Sequence, residues 1–200
     1  MGKVVVTEFI SLDGVIEAPG GGEDYEHAGW SFEFKRGEEG DEFKFDELMA
    51  AEVQLLGRVT YQGFAKAWPS MGADRFGEKM NAMPKYVVST TLGAQDADWN
   101  NSTVIGGDMA SEVAQLKQQV SGDILVAGSA KLVQSLTEHG LVDEYRLMVF
   151  PVVLGSGKRL FGEGAPRTKL RLVDSKPVGP DGVFILTYGP AEIAGSDLAA

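Results

Sequence analysis

The chain alternates short apolar runs, of the kind found in buried strands, with stretches whose apolar residues recur at helical spacing. Residues 3–10 are rich in β-branched side chains and predict a buried strand. Val113, Leu116 and Val120 recur at i, i+3 and i+7 and predict a helix. Strands separated by helices imply right-handed crossovers, so the pattern predicts an α/β fold whose central, mostly parallel sheet is flanked by helices.

The same pattern divides the whole chain into elements. We expect strands at residues 3–10, 53–56, 85–89, 103–105, 123–127, 145–153, 170–176 and 183–188. We expect helices at residues 42–51, about 57–66 and 74–82, with two more after Asp108 and Ser129. A Pro-Asp-Gly turn joins the last two strands and predicts an antiparallel pair. Pro151 suggests an edge or a bend in strand 145–153, and an exposed edge there would let two copies pair.

A long polar stretch at residues 11–41 separates the first strand from the first helix. It contains three consecutive glycines and carries the aromatic residues Tyr25, Trp30, Phe32 and Phe34. A loop of this length is typical of a functional lid, and a disordered surface loop is the alternative.

Composition limits the classes of protein to consider. The chain has 200 residues, 44% of them hydrophobic, so we expect one domain over residues 1–190 and a frayed tail over residues 191–200. A net charge of −11 without a basic run argues against nucleic-acid and membrane partners. With no cysteine and two histidines, disulfides, a thiol nucleophile and a bound metal are not expected. The N-terminal apolar run is too short to span a bilayer, and we expect a cytoplasmic protein.

Three strand ends carry residues suited to phosphate. Glycine allows close approach, helix N-termini offer free N–H groups, and hydroxyl or guanidinium groups can hold the phosphate from the side. The three segments are Gly57-Arg58-Val59-Thr60, Ser89-Thr90-Thr91 and Gly128-Ser129-Ala130-Lys131. Any one of them could equally be a turn with a helix cap. Together they suit a dinucleotide such as NADP, whose 2′-phosphate is distant from its pyrophosphate.

Several motifs, in order along nearly the whole chain, resemble the dihydrofolate-reductase-like superfamily. They include Ser11-Leu12-Asp13-Gly14, Leu56-Gly57-Arg58-Val59-Thr60-Tyr61, Val126-Ala127-Gly128-Ser129 and Pro151-Val152-Val153-Leu154-Gly155. More narrowly, the chain is similar to a stand-alone form of the reductase domain at the C-terminus of bifunctional riboflavin-biosynthesis deaminase-reductases. The resemblance implies NADPH-dependent reduction and, commonly, a homodimer.

The resemblance also implies roles for particular residues. Gly57, Arg58, Val59 and Thr60 would bind cofactor phosphate, and Ser89, Thr90 and Thr91 would surround the 2′-phosphate end. The glycine turn would hold the pyrophosphate through Gly128, Ser129, Ala130, Lys131 and Leu132. The loop after the first strand would cover the nicotinamide through Phe9, Leu12 and Ile16.

The substrate side is less defined. We expect Trp30, Phe34, Phe64 and Trp68 as walls of the substrate pocket, with core packing as the alternative for each. Asp13 is the first candidate for a proton donor, although an Asp-Gly turn also explains it, and Glu8 is the second. Dihydrofolate reductases place a buried acid on the helix after the first loop, for which Glu42, Asp46 and Glu47 are all near. The loop at residues 11–41 forms an acidic lid, which argues against a phosphorylated substrate. Its acidic residues are Glu17, Glu23, Asp24 and Glu26.

Two functions remain open from the sequence. The first is an NADPH-dependent reductase of a small, planar, nitrogen-containing heterocycle, related to pterins or pyrimidines. The second is an NADP-binding paralogue without turnover, acting as a binding or sensing module. A smaller possibility keeps the fold but uses another reduced cofactor, such as a deazaflavin.

Overall fold

A computed structural model of the chain describes residues 1–191, which form a single sheet with helices on both faces. The eight strands are β1 (Lys3–Ser11), β2 (Ala51–Gly57), β3 (Lys85–Val88), β4 (Ser102–Ile105), β5 (Asp123–Val126), β6 (Glu144–Phe150), β7 (Leu170–Val178) and β8 (Val183–Pro190). The α-helices are α1 (Gly37–Ala50), α2 (Arg58–Ala67), α3 (Arg75–Ala82), α4 (Met109–Gln119) and α5 (Ala130–Glu138).

The strand order β4-β3-β2-β5-β1-β6-β8-β7 places the N-terminal strand in the interior of the sheet. The first six strands run parallel, whereas β8 is antiparallel to both β6 and β7. The predicted α/β fold, with a mostly parallel sheet and an antiparallel C-terminal pair, is therefore confirmed.

Successive side chains of β1 point to opposite faces of the sheet, so they belong to different parts of the hydrophobic core. Val4 and Val6 pack on one face together with the apolar sides of α4 and α5. Val5 and Phe9 face the other side, where α1 crosses the sheet and two separate clusters form. One of these clusters surrounds Tyr61 and the other surrounds Phe150. Thr7 of β1 and Lys44 and Glu47 of α1 form a polar group on this face of the sheet.

Three sequence expectations need correction. The first helix begins at Gly37, because the apolar spacing that marks it is visible only in its second half. β6 ends at Phe150, one residue before Pro151, whose missing N–H falls outside the ladder. The idea of an exposed edge there is wrong, since β6 pairs with β1 and β8, and within residues 1–191 the outer strands are β4 and β7. All but the first residue of the predicted frayed tail lie outside the described residues.

Residues 1–191 contain no helix that is both long and apolar enough to cross a membrane. They also contain no group of three or more His, Cys, Asp or Glu side chains arranged to hold a metal ion.

Candidate active site

The three phosphate-type segments lie along one edge of the sheet. β3, β2 and β5 are adjacent and parallel, so the turns that follow them, at Ser89, Gly57 and Gly128, emerge on the same side. Neighbouring strands are about 4.8 Å apart, so the outer two turns are about 10 Å from each other. The loop after β1 lies next in the same row. One extended ligand can therefore contact all of them, at the edge where α/β sheets bind ligands.

The turns after β2 and β5 contact each other closely. A Cβ added to Gly57 would lie 2.2 Å from Ser129 Oγ. A Cβ added to Gly128 would lie 2.8 Å from Thr60 Oγ1, and Gly128 has φ of +77°, which favours glycine. The peptide bond between Gly128 and Ser129 is cis. We call the surface formed by these four residues the notch.

Two helices begin at the notch with free N–H groups. Gly57 caps α2 and Ser129 caps α5, and among the described residues no side chain hydrogen-bonds to either N-terminus as a cap. The first N–H groups of a helix carry partial positive charge and bind anions. Arg58 and Lys131 are exposed beside these N-termini, and Arg58 Nη1 donates to Gln62 at 3.2 Å. The notch therefore has the donors and the charge to hold phosphate.

The Ser89 hydroxyl group stabilises its own turn. Its Oγ accepts hydrogen bonds from the N–H groups of Thr91 at 3.1 Å and Leu92 at 2.9 Å, so the hydroxyl closes a turn. Thr90 and Thr91 are exposed at the same strand end. The exposed hydroxyl groups on this side are those of Thr90 and of Thr91, and Thr91 Oγ1 lies 3.4 Å from Ser89 Oγ.

Glu8 lies beneath the notch. It is 7% exposed, and its Oε1 accepts a hydrogen bond from the N–H of Gly128 at 2.8 Å. Burial raises the pKa of Glu8 to about 8, against the opposing effect of that hydrogen bond. At neutral pH this carboxyl group therefore carries a proton.

Asp13, by contrast, is ionised and fully engaged. Its carboxylate accepts hydrogen bonds from Ser11 Oγ at 2.7 Å and from the N–H groups of Leu154 at 3.1 Å and Gly155 at 2.8 Å. Burial opposes ionisation, but these hydrogen bonds outweigh it and lower the pKa of Asp13 to about 2. A group so strongly ionised is a poor proton donor, so the geometry favours the turn role over the catalytic one.

The four predicted substrate walls do not come together. Trp30 and Phe34 pack edge-on against Phe150, with ring centroids 5.4 and 5.8 Å away. Phe64 and Trp68, in and just after α2, belong to the separate cluster around Tyr61. The expectation of a single aromatic enclosure is thus corrected. Trp30 is 2% exposed and serves the core, whereas Phe34 is half-buried at the strand ends beside Phe9.

Of the three acids considered on α1, Glu47 is the buried one. Its Oε1 accepts hydrogen bonds from Thr7 Oγ1 at 2.7 Å and Lys44 Nζ at 2.6 Å. Its Oε2 is buried without a hydrogen-bond partner in residues 1–191, and Arg146 Nη1 lies 3.9 Å from it. Sequence reasoning missed Lys44, Thr7 and Arg146. Only the i, i+3 spacing of Lys44 and Glu47 was a visible signal.

The loop after β1 is fixed by the segment at residues 152–160. The N–H of Leu12 donates to Val152 O at 2.8 Å, and the N–H of Ile16 donates to Lys158 O at 2.9 Å. Lys158 also pairs with Glu17, and with Glu23 at 3.5 Å. Glu17 and Glu23 of the acidic lid are therefore paired with a lysine. This pairing weakens the argument against a phosphorylated substrate.

Two cavities lie away from the notch. One of about 120 Å³ lies between β4 and α4, beneath Tyr86 and Leu116. A wider opening of about 480 Å³ is lined by Asn81 and Trp99, near the start of β4 and therefore at the opposite edge of the sheet. Neither is lined by the four residues of the notch.

Comparison with known proteins agrees with this geometry. The family described as the RibD C-terminal domain matches residues 2–184. The uncharacterized protein YwjB of Bacillus subtilis is 33% identical over 178 residues, covering 88% of this chain and 92% of YwjB. A candidate riboflavin biosynthesis protein from Shewanella sp. PV-4 superposes with a TM-score of 0.73 at 21% identity, covering 96% and 99% of the two chains. Dihydrofolate reductase from Enterococcus faecalis, complexed with NADP(H), gives 0.60 at 16% identity over 96% and 98%. The structural similarities establish a shared fold.

Proposed function

Because this chain belongs to the family of the RibD C-terminal domain, we propose that it is an NADPH-dependent reductase that transfers hydride to a small planar heterocycle of the pterin or pyrimidine class. The observation that carries the proposal is the notch, in which two glycine turns meet below two helix N-termini. An alanine Cβ at either glycine would collide with the facing turn, so glycine is what lets the two helix N-termini come this close.

Different residues at the carboxyl edge of the sheet would bind different parts of the cofactor. Arg58, Thr90 and Thr91 would hold the 2′-phosphate, since they are exposed cationic or hydroxyl groups on neighbouring strand ends. The N–H groups of Ala130, Lys131 and Leu132 would hold the pyrophosphate. Phe9, Leu12 and Ile16 would border the nicotinamide. When bound, NADPH supplies the hydride, and the protein supplies distance, orientation and exclusion of water.

The substrate would lie on the α1 side of β1. Phe9 and Phe34 offer half-buried apolar surface there, and the Phe9 ring has Arg36 and Lys44 at 5.1 and 5.3 Å from its centroid. Glu47 Oε2, which accepts no hydrogen bond from the described residues, is suited to a ring N–H or amino group. Of the two candidate proton donors, Glu8 holds a proton at neutral pH and Asp13 does not. The Glu8 carboxyl group contacts the Gly128 turn, so we assign it to the cofactor notch rather than to the substrate.

Replacing Arg58 tests the cofactor assignment. Charge-assisted hydrogen bonds contribute about 1.5–3 kcal/mol, so Arg58→Ala should weaken NADPH binding by about ten- to a hundredfold while leaving NADH binding nearly unchanged. Lys66→Ala, on an exposed position of the same helix, is the matched control. Calorimetry that detects neither cofactor at millimolar concentration would disprove the reductase.

A second candidate is an NADP-binding module without turnover. It is favoured by the strong ionisation of Asp13 and by the engagement of Glu47 with Lys44 and Thr7, which leave few groups free for chemistry. Continuous NADPH oxidation with any pterin or pyrimidine substrate would exclude it.

We also propose that the protein works in the cytoplasm as a homodimer that pairs through β7. Almost all of this outer strand is exposed, including the apolar Leu172 and Val173 at 50% each. Exposed edge strands pair readily with a second copy. Val173→Lys should yield monomers in analytical ultracentrifugation, whereas Met71→Lys, at another exposed apolar position, should not. A wild-type monomer at all concentrations would refute the dimer.

A further inference from the structure

A buried carboxyl group contacts one of the two turns that form the cofactor notch. Glu8 lies on β1, in register with Leu147 of β6, and its Oε1 accepts the Gly128 N–H at 2.8 Å. Gly128 begins the turn that leads into α5. The first amide of that turn is therefore directed at Glu8, so it cannot also donate to an anion above the turn.

The surroundings of Glu8 compensate poorly for a negative charge. On α1, Lys44 favours ionisation and Glu47 opposes it, and these two are paired with each other at 2.6 Å. Arg146 on β6 is already paired with Glu144 at 2.6 Å and with Asp123 of β5 at 3.2 Å. Lys131 on α5 is exposed to solvent. An ionised Glu8 would therefore bring an additional negative charge to the floor of the notch.

We propose that Glu8 is a positioning residue whose protonation controls cofactor affinity: the neutral acid holds the Gly128 turn, and the ionised form repels the pyrophosphate above it. This inference rests on the proposed function, because it needs an anionic cofactor at the notch. Loss of the proton does not loosen the turn, since a carboxylate accepts the Gly128 N–H at least as well as the acid does. The expected effect is therefore repulsion between like charges in a poorly solvated site.

The test is the pH dependence of NADPH affinity at constant ionic strength. We expect the Kd of the wild-type protein to rise at least about tenfold between pH 7 and pH 9.5, because a carboxylate below the turn repels the pyrophosphate. The phosphates of NADPH keep nearly constant charge over this range, since their last pKa is about 6. Glu8→Gln keeps an oxygen acceptor for Gly128 but cannot ionise, so its Kd should stay nearly constant. Glu138→Gln, on the exposed end of α5, should follow the wild type.

A second measurement needs no variant and so does not depend on the folding of Glu8→Gln. In the wild-type protein, the Glu8 carboxyl carbon can be titrated by NMR with and without saturating NADPH. Because binding and proton uptake are linked, the cofactor should raise the pKa of Glu8. An unchanged pKa, or equal pH profiles in the wild type and Glu8→Gln, would overturn the role of Glu8 alone. Absence of NADPH binding at pH 7 in both proteins would overturn the reductase as well.

Discussion

Replacing Gly57 with alanine tests the contact between the two turns that form the notch. Gly57 has φ −76° and ψ 156°, which alanine adopts without strain, so any cost must come from packing. The new Cβ would lie 2.2 Å from Ser129 Oγ, 3.1 Å from its Cβ and 3.3 Å from its backbone nitrogen. Rotation of Ser129 can remove the first contact but not the other two.

The size of the effect follows from those contacts. Overpacking by one methyl group costs about 1–3 kcal/mol, and we expect Gly57→Ala to fall within this range. Ser129→Ala should cost little by itself, because within residues 1–191 its hydroxyl makes no capping hydrogen bond. The double variant removes the 2.2 Å contact, so the two changes should couple favourably by about 0.5–1.5 kcal/mol.

Urea unfolding of the four proteins in this cycle measures the coupling, provided that the m-values agree. Gly63→Ala is the matched control, because its Cβ would meet no atom of residues 1–191 within 4 Å, and it lies inside the same helix. We expect this control to stabilise the protein by about 0.5–1 kcal/mol. A Gly57→Ala variant as stable as wild type, or strict additivity with Ser129→Ala, would mean that the turns do not touch.

Three further predictions concern ionisable side chains. The raised pKa of Glu8 means that the folded protein keeps a proton which the unfolded chain has lost, so stability should fall by up to about 1.4 kcal/mol per pH unit from about pH 4.5 to 8; urea titrations should show a smaller slope for Glu8→Gln. Asp13 has a lowered pKa, so its contribution should be complete above about pH 4 and lost as the pH falls through 2; acid unfolding curves of wild type and Asp13→Asn should converge at the acidic end, and a constant gap would contradict this. Burial lowers the pKa of Lys85 to about 8, so between pH 8 and 10.5 the unfolded chain holds a proton that the folded protein has lost. The stability of the wild type should therefore rise over this range, and that of Lys85→Met should not. Urea unfolding free energies that change equally with pH in both proteins would refute this.

Local signals in the sequence were enough to locate the elements and turns of the sheet. Gly57 and Gly128 each follow an apolar run and precede a helix, so both turns can be recognised from nearby residues alone. The strand order could not be predicted in the same way. Lys3 pairs with Asp123, and such distant pairing leaves no periodic signal in the chain. Pro151 illustrates the limit, because it marked the end of an interior strand rather than an edge.

In the candidate site, too, local features could be predicted from the sequence and long-range contacts could not. Arg58 and Ser129 were identified because their positions follow from local strand-to-helix geometry. The contact of Glu8 with Gly128 joins residues 120 positions apart and exists only because β1 lies beside β5. Phe64 was misplaced for the same reason, since the strand order decides that α2, which follows β2, packs with Tyr61 and away from Phe150.

The interior position of β1 also has a consequence for synthesis of the chain on the ribosome. Its two neighbours, β5 and β6, begin at Asp123 and Glu144, so β1 leaves the exit tunnel before both and must wait until the chain has been made beyond Asp123. The β7–β8 hairpin, by contrast, can close as soon as it emerges. During translation the apolar segment at residues 3–10 therefore stays without its native partners, and chaperones that shield nascent chains should engage it there.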